Sequence, residues 1–340
     1  MAPRTPKYAR DQPAGFVNRI EKVAIVGATG TMGKYVTQEL LEGKRHIITA
    51  ITRHNSDSKL PAGVIAAKVD YDDEDSISEA LRGQQYLIIT LYSRAPRDTQ
   101  LKIVRAAAKA GVPYVMPNAW GPDPNNETLM SDTLLGHAFQ EAVKEIEQLG
   151  VSEWIIMSCG FWYEFSLAGS PDRYGFDMKN RSLTLFDDGQ VKINTSTWSQ
   201  CGRGLAAFLS LKWLPDDEHD VTPNIQNWAN DTFYISSFLV SQRDMFESVK
   251  RVTGTEDSDW TIKHENSQDR WKAGHETLRS GDRTGFSRLM YTRVFYPNGD
   301  GDVEHKYGLA NAALQLPDED LDAASKEGVR MCLSGELDGY

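Results

Sequence analysis

Seven residues constrain this chain most. Gly27-Ala-Thr-Gly30-Thr-Met-Gly33 follows a short apolar run, Lys22-Val-Ala-Ile-Val, and opens a helical pattern from Thr31 to Glu42 that Gly43 ends. The spacing is G-x-x-G-x-x-G between a strand and a helix. Gly27 lets the chain turn tightly off the strand. Gly30 lets a backbone approach a pyrophosphate without a Cβ in the way, and Gly33 lets the helix lie close to the sheet. The free amides of the helix N-terminus then face the anion. The plain alternative is a glycine-rich turn that holds nothing, and it is the strand–helix context that favours the ligand.

The rest of the first half keeps the same rhythm. Strand patterns at 46–53, 64–70, 85–91, 112–116 and 153–158 alternate with helical patterns at 74–82, 99–110 and 134–149, several closed by glycine. Short, continuously apolar strands separated by helices predict a parallel sheet covered on both faces, an α/β doubly wound Rossmann fold. With 340 residues the chain exceeds what one core usually serves, so two lobes are expected. After residue 160 the rhythm changes. Leu183–Phe186 and Gln190–Asn194 flank Asp187-Asp188-Gly189, a hairpin signal, and helical patterns follow at 199–211, 242–252 and across 267–297, with a short strand at 232–235. The expected division is a flexible N-terminal arm (1–20), a dinucleotide-binding domain (21–160), a substrate lobe (161–315) whose chain can return to the first sheet, and an acidic C-terminal segment (316–340). That last segment carries seven acids against Lys326 and Arg330 and reads as a solvated tail or an exposed helix.

Composition narrows the class of partner. The net charge is −11 and no long basic run offsets it, which excludes a broad nucleic-acid-binding face. No apolar stretch approaches a membrane span, and the proline-rich start lacks the apolar segment of a secretory signal. Cys159, Cys201 and Cys332 are far apart and odd in number, so neither a disulfide framework nor a metal site is expected. A cytoplasmic protein is expected, with a homodimer as the assembly considered.

The second strand pattern selects between dinucleotides. An NAD site usually ends this strand with an acid on the ribose 2′-hydroxyl. Here it ends Ile51-Thr-Arg53-His54, and Arg53 can fork onto a 2′-phosphate, which favours NADP(H); the alternative is a solvated arginine. Asp70 and Tyr71, ending the third strand, border the adenine or simply serve a turn. No tyrosine has a lysine four residues on, and there is no G-x-S-x-G elbow, H-E-x-x-H or P-loop. Hydride chemistry is thus supported while the proton donor is not evident. Trp120, Phe161, Trp162, Tyr163, Phe165, Tyr174 and Phe176 cluster at and beyond the ends of the last two strands, where open α/β folds bind ligands. They are read either as walls for a flat substrate or as the core joining two lobes, with Trp120, Phe161, Trp162, Tyr163, Tyr174 and Phe176 as substrate candidates.

The loop GATGTMG, Arg53 and Pro117-Asn-Ala-Trp-Gly-Pro122 resemble the NmrA-like, isoflavone-reductase-like atypical short-chain dehydrogenases. Gly160-Phe-Trp-Tyr-Glu164, Phe176-Asp-Met-Lys-Asn-Arg181 and the stretch from Phe186 to Trp198 resemble its fungal CipA-type branch, over residues 20–255 in all. The resemblance implies an NADPH-binding Rossmann domain and a smaller C-terminal α+β lobe closing over an aromatic substrate. It places Gly27, Thr29, Gly30, Thr31, Met32 and Gly33 at the pyrophosphate and Arg53 at the 2′-phosphate. It puts Leu91, Tyr92 and Ser93 near the ribose, Pro117 and Asn118 beside the nicotinamide ribose, and Gly160 and Phe161 at the nicotinamide.

One departure stands out. Phe139 occupies the position at which plant members carry a catalytic lysine, with His137 two residues earlier, so the plant mechanism does not transfer. His137, Tyr163, Tyr174 and Lys179 are the remaining candidate proton donors, each equally readable as a surface or packing residue. The reading reached is an NADPH-dependent reductase of an aromatic or secondary-metabolite-like molecule. Because the resembled family also holds non-enzymes, the alternative is a redox-sensing regulator that binds NADP(H) without turnover.

Overall fold

The computed structural model describes residues 7–92 and 95–337. Its first half runs β1 (Lys22–Val26), α1 (Gly33–Gly43), β2 (Ile47–Arg53), β3 (Val64–Val69), α2 (Glu74–Leu81), β4 (Tyr86–Ile89), α3 (Thr99–Ala110), β5 (Tyr114–Met116), α4 (Glu127–Thr133), α5 (Gly136–Leu149) and β6 (Glu153–Ser158). The second half runs β7 (Phe161–Trp162), α6 (Tyr163–Leu167), β8 (Phe176–Asp177), β9 (Ser182–Phe186), β10 (Ile193–Ser196), α7 (Trp198–Leu209), β11 (Asp231–Tyr234), β12 (Phe238–Val240) and α8 (Gln242–Thr253). It closes with β13 (Thr261–Glu265), α9 (Ser267–Arg279), α10 (Thr284–Val294), α11 (Val303–Tyr307) and α12 (Leu321–Ser334).

Seven strands form one sheet in the order β11-β6-β5-β4-β1-β2-β3, and every pairing in it is parallel. The apolar runs explain this arrangement, because alternate residues of each strand serve opposite faces. Val23 and Ile25 of β1 pack with Val36 and Leu40 of α1 and Leu205 and Phe208 of α7. Ala24 and Val26 pack on the other face with Ile77 of α2, Ile103 and Val104 of α3 and Ile146 of α5. The order reverses between β1 and β4, which opens the crevice where such sheets hold ligands. The seventh strand comes from far along the chain: β11 pairs with β6 from Asp231↔Ile155 to Tyr234↔Ser158.

A second core lies beyond the sheet. Phe161, Tyr163, Tyr174, Phe176, Leu183, Leu185, Phe246, Tyr291 and Phe295 are buried together there, with Leu129 and Met130 of α4 reaching in from the first half. Two small sheets frame it, β12-β10-β7 and β13-β9-β8.

Three sequence expectations are corrected. The hairpin across Asp187–Gly189 does not form. β9 pairs with β8 and β13, while β10 joins β7 and β12 in a different sheet. The turn is claimed by another partner: the Asp187 carboxylate accepts hydrogen bonds from the Ser267 N–H and the Asn266 amide, both 3.0 Å, at the start of α9. The acidic C-terminal segment is not a solvated tail. α12 is capped by Asp320 and buries Ala324, Ser325, Gly328, Val329 and Met331 against α6 and α8. The arm before β1 is not loose over its described part. Ala9 donates its N–H to the Pro215 carbonyl (2.9 Å), Phe16 packs on Trp213 (5.5 Å between ring centroids), and Arg10 pairs with Glu218. The sequence also missed α4, a seven-residue helix capped by Asn126.

Candidate dinucleotide site

The chain leaves β1 at Gly27 with φ +79°, a left-handed conformation that suits glycine. A Cβ there would stand 2.1 Å from the Thr90 carbonyl oxygen at the end of β4, and one on Gly33 would stand 2.0 Å from the Gly27 carbonyl oxygen. Those two positions exclude any side chain. Gly30 is different. Its added Cβ would meet the Gly27 oxygen at 3.1 Å, and the residue is exposed, on the side from which a ligand would come.

Thr90 fastens the loop. Its hydroxyl reaches the Val26 carbonyl at 2.7 Å and the Gly27 carbonyl at 3.1 Å. Sequence reasoning missed Thr90, whose one signal is a hydroxyl residue just past an apolar strand. α1 then starts from Met32 with no side-chain cap; Lys34 donates its N–H to the Gly30 carbonyl and Tyr35 and Val36 donate theirs to the Met32 carbonyl, and the helix dipole favours an anion at this end. Thr29 is exposed and Thr31 half-buried. Met32 is buried in the core, so its backbone alone faces this space.

Arg53 is exposed at the end of β2, and among the described residues no carboxylate pairs with it. Tyr71 stands near it, close enough that the guanidinium opposes the rise of the phenol's pKa to about 12, a rise caused mainly by burial. The Tyr71 hydroxyl donates to the Ile51 carbonyl at 3.0 Å, which fixes the ring against β2. Asp70 serves the turn before α2. Its carboxylate accepts the Asp72 N–H (2.9 Å), and its own N–H donates to the Ser76 hydroxyl.

The loops after β4 and β5 are laced together. Asn118 exchanges two hydrogen bonds with Leu91, each 3.2 Å, and its N–H donates to the Gln100 side chain at 2.7 Å. Trp120 donates its indole N–H to the Ile89 carbonyl at 3.0 Å, and the Gly121 carbonyl accepts from Cys159 and Gly160 at the end of β6. Pro117 is buried beneath this lacing, Tyr92 is exposed, and Ser93 lies outside the described residues. Gly160 has φ +63°, and a Cβ on it would come within 2.2 Å of the Asn194 carbonyl oxygen, so β7 can turn under β10.

The remaining candidates are dispersed. Tyr163 and Tyr174 are fully enclosed in the second core. Their hydroxyls bond to Ser325 (2.6 Å) and Thr195 (3.0 Å), and burial drives both phenols well above the usual range. Both rings pack within that core. Phe161, against Tyr291 at 4.2 Å, and Phe176 belong to the same core. His137 projects from α5 with its side chain 80% exposed, facing Glu141, and Lys179 is exposed in the turn between β8 and β9. Phe139 is buried beside Leu129 and Met130. Of the six substrate candidates, Trp120 and Trp162 remain half-buried near the strand ends. Trp162 joins Phe165, Trp198 and Tyr35 in an aromatic group at the first turn of α1, with centroids 5.6–6.1 Å apart.

Residues 20–162 match the NmrA-like family. The chain is 25% identical over 307 residues to the oxidoreductase aprR of Aspergillus flavus, covering 88% of this chain and 96% of that protein. Among solved structures it superposes on one from the pinoresinol-lariciresinol and phenylcoumaran benzylic ether reductases with a TM-score of 0.71 and 19% identity, covering 90% of this chain and 99% of that one. It also superposes on AtPrR2 with NADP+ and (+)pinoresinol with a TM-score of 0.68 and 15% identity, covering 92% and 99%. No helix among the described residues is long and apolar enough to cross a membrane, and no group of three or more His, Cys, Asp or Glu among them could hold a metal ion.

Proposed function

We propose that the protein is an NADP(H)-dependent reductase of an aromatic or other conjugated small molecule. One observation carries this reading: a helix N-terminus without a side-chain cap behind a loop that excludes side chains, with an arginine at the end of the neighbouring strand that no carboxylate among the described residues pairs with. The chain's residues fit the group. The loop and α1 would take the pyrophosphate, Arg53 the 2′-phosphate, Leu91 and Asn118 the ribose side, and Gly160 the nicotinamide side. The reduced cofactor supplies a hydride, delivered to a carbonyl or a conjugated double bond. Trp120 and Trp162, half-buried at the strand ends, give a flat substrate apolar surface and keep bulk water off its face. The proton that completes the reduction comes from water, because Tyr163 and Tyr174 hold theirs in closed hydrogen bonds. AtPrR2 was solved with NADP+ and (+)pinoresinol, and aprR is named an oxidoreductase, which supports the reading. Substrate-dependent loss of NADPH absorbance across a panel of quinones, enones and aryl ketones tests it.

The burial of both tyrosines, with Phe139 where a lysine would be needed, favours one second reading: a sensor that binds NADP(H) without turnover. Tight NADP(H) binding with no turnover of any panel member is the outcome that reading requires.

A further inference from the structure

Glu164 is the second residue of α6, only 7% exposed, at the place where four other segments converge. Its carboxylate accepts the Trp198 N–H at the start of α7 (3.3 Å) and its own backbone N–H. From α7, Cys201 and Arg203 are the other ionisable groups near it. From α1 it is Tyr35, from the segment before α12 Glu319, and from α12 Glu327.

None of the cations serves Glu164. Arg203 is committed to Glu319, which also accepts from Thr197 and Ser237. Glu327 is paired with Arg330. The Lys34 ammonium lies over the rings of Tyr35 (4.9 Å) and Trp198 (5.8 Å). Burial without a cation, with Glu319 and Glu327 nearby, pushes the Glu164 carboxyl up to about 7. A cavity of about 390 Å³, lined by Glu164, Thr197, Ser199, Arg203 and Glu319, gives it water and protons to exchange with.

This carboxyl is coupled by contact to the phosphate site. Trp198, whose N–H it accepts, stacks on Tyr35 at 5.6 Å, and Lys34 and Tyr35 belong to the first turn of α1. That turn is the helix end proposed above to face the pyrophosphate, so this inference rests on that reading. A negative charge held in a poorly screened interior repels an anionic ligand nearby.

We propose that Glu164 is a proton-linked gate on the dinucleotide site: the site takes the anionic cofactor when this carboxyl is protonated and releases it more readily when the carboxyl is ionised. Linkage makes the effect reciprocal, so the bound cofactor must pull a proton onto Glu164.

The test is NADPH affinity at about pH 6 and about pH 8.5 for the wild type and Glu164→Gln, whose amide imitates the protonated acid. Comparing the two proteins removes the titration of the cofactor's own phosphate, which both share. The wild type should lose about fivefold more affinity over this range than the variant, and the variant should bind the tighter of the two at the higher pH. Parallel profiles overturn the proposal and leave the cofactor reading standing. Absence of binding by both proteins at both pH values overturns the cofactor reading and this proposal with it. Should the variant fail to fold, calorimetry of the wild type in buffers of different ionisation enthalpy decides: net proton uptake on binding NADPH near pH 7.5 supports the gate, and its absence overturns it.

Discussion

At the scale of single residues, the glycine loop separates two roles that share one motif. Gly33→Ala places a methyl 2.0 Å from a backbone oxygen that cannot retreat. It should cost several kcal/mol, read as a large fall in melting temperature or as insoluble protein. Gly30→Ala meets only one oxygen at 3.1 Å, so it should keep most of its melting temperature while losing about tenfold or more in NADPH affinity. Tyr163→Phe should cost about 1 kcal/mol of stability, from the lost bond to Ser325, and leave turnover unchanged; a collapse of turnover would restore Tyr163 as a proton donor.

Glu164 makes a stability prediction of its own. Its folded pKa, about 7, lies above the ordinary 4.5, so its contribution is fully present below pH 4.5 and is lost as pH rises through 7. Glu164→Gln should remove that slope, worth on the order of 3 kcal/mol, so variant and wild-type melting curves should diverge with rising pH. The loop was legible in the sequence because its requirement is local, a backbone with no Cβ. The fate of Tyr163 was not, because it depends on Ser325, 162 residues further on. Glu164 was equally invisible, since nothing near it in sequence announces its burial.

At the scale of elements, legibility followed the source of each element's stability. β1, β2 and β4 have largely apolar, buried centres, so their pattern survives without knowledge of partners. β9 and β10 were read as one hairpin because Asp-Asp-Gly is a strong turn signal. The turn exists, but the cap of α9 binds Asp187 and sends the two strands to different sheets. α12 was misread for a different reason. Its acids are spent on capping and on pairing with Arg251 and Arg330, while its small residues pack against α6. Gly328 shows how closely: a Cβ there would meet the Leu167 side chain at 3.0 Å. Removing residues 318–340 should therefore strip Val329 and Met331 from the core, expose Leu167 beneath them and cost several kcal/mol, seen as a lower melting temperature or aggregation. A truncated chain that melts like the intact one would mean that the helix is dispensable.

At the scale of the whole molecule, two cores are joined by chain that crosses between them repeatedly. β11 returns from the second half to complete the first sheet, and α4 from the first half enters the second core. The doubly wound sheet was legible from rhythm alone. The seventh strand's place was not, because a four-residue strand carries too little pattern to name its neighbour. A net charge of −11 is compatible with a dinucleotide, because the site needs only local positive potential from α1 and Arg53.

The central claim is that these two features form an NADP(H) site. Calorimetric titration of the wild type and Arg53→Ala with NADPH and NADH tests it most directly. The predicted result is NADPH binding that weakens about tenfold or more in the variant, equivalent to about 1.4 kcal/mol, with NADH affinity unchanged. A wild type that binds neither dinucleotide, or a variant that loses affinity for both equally, would contradict it.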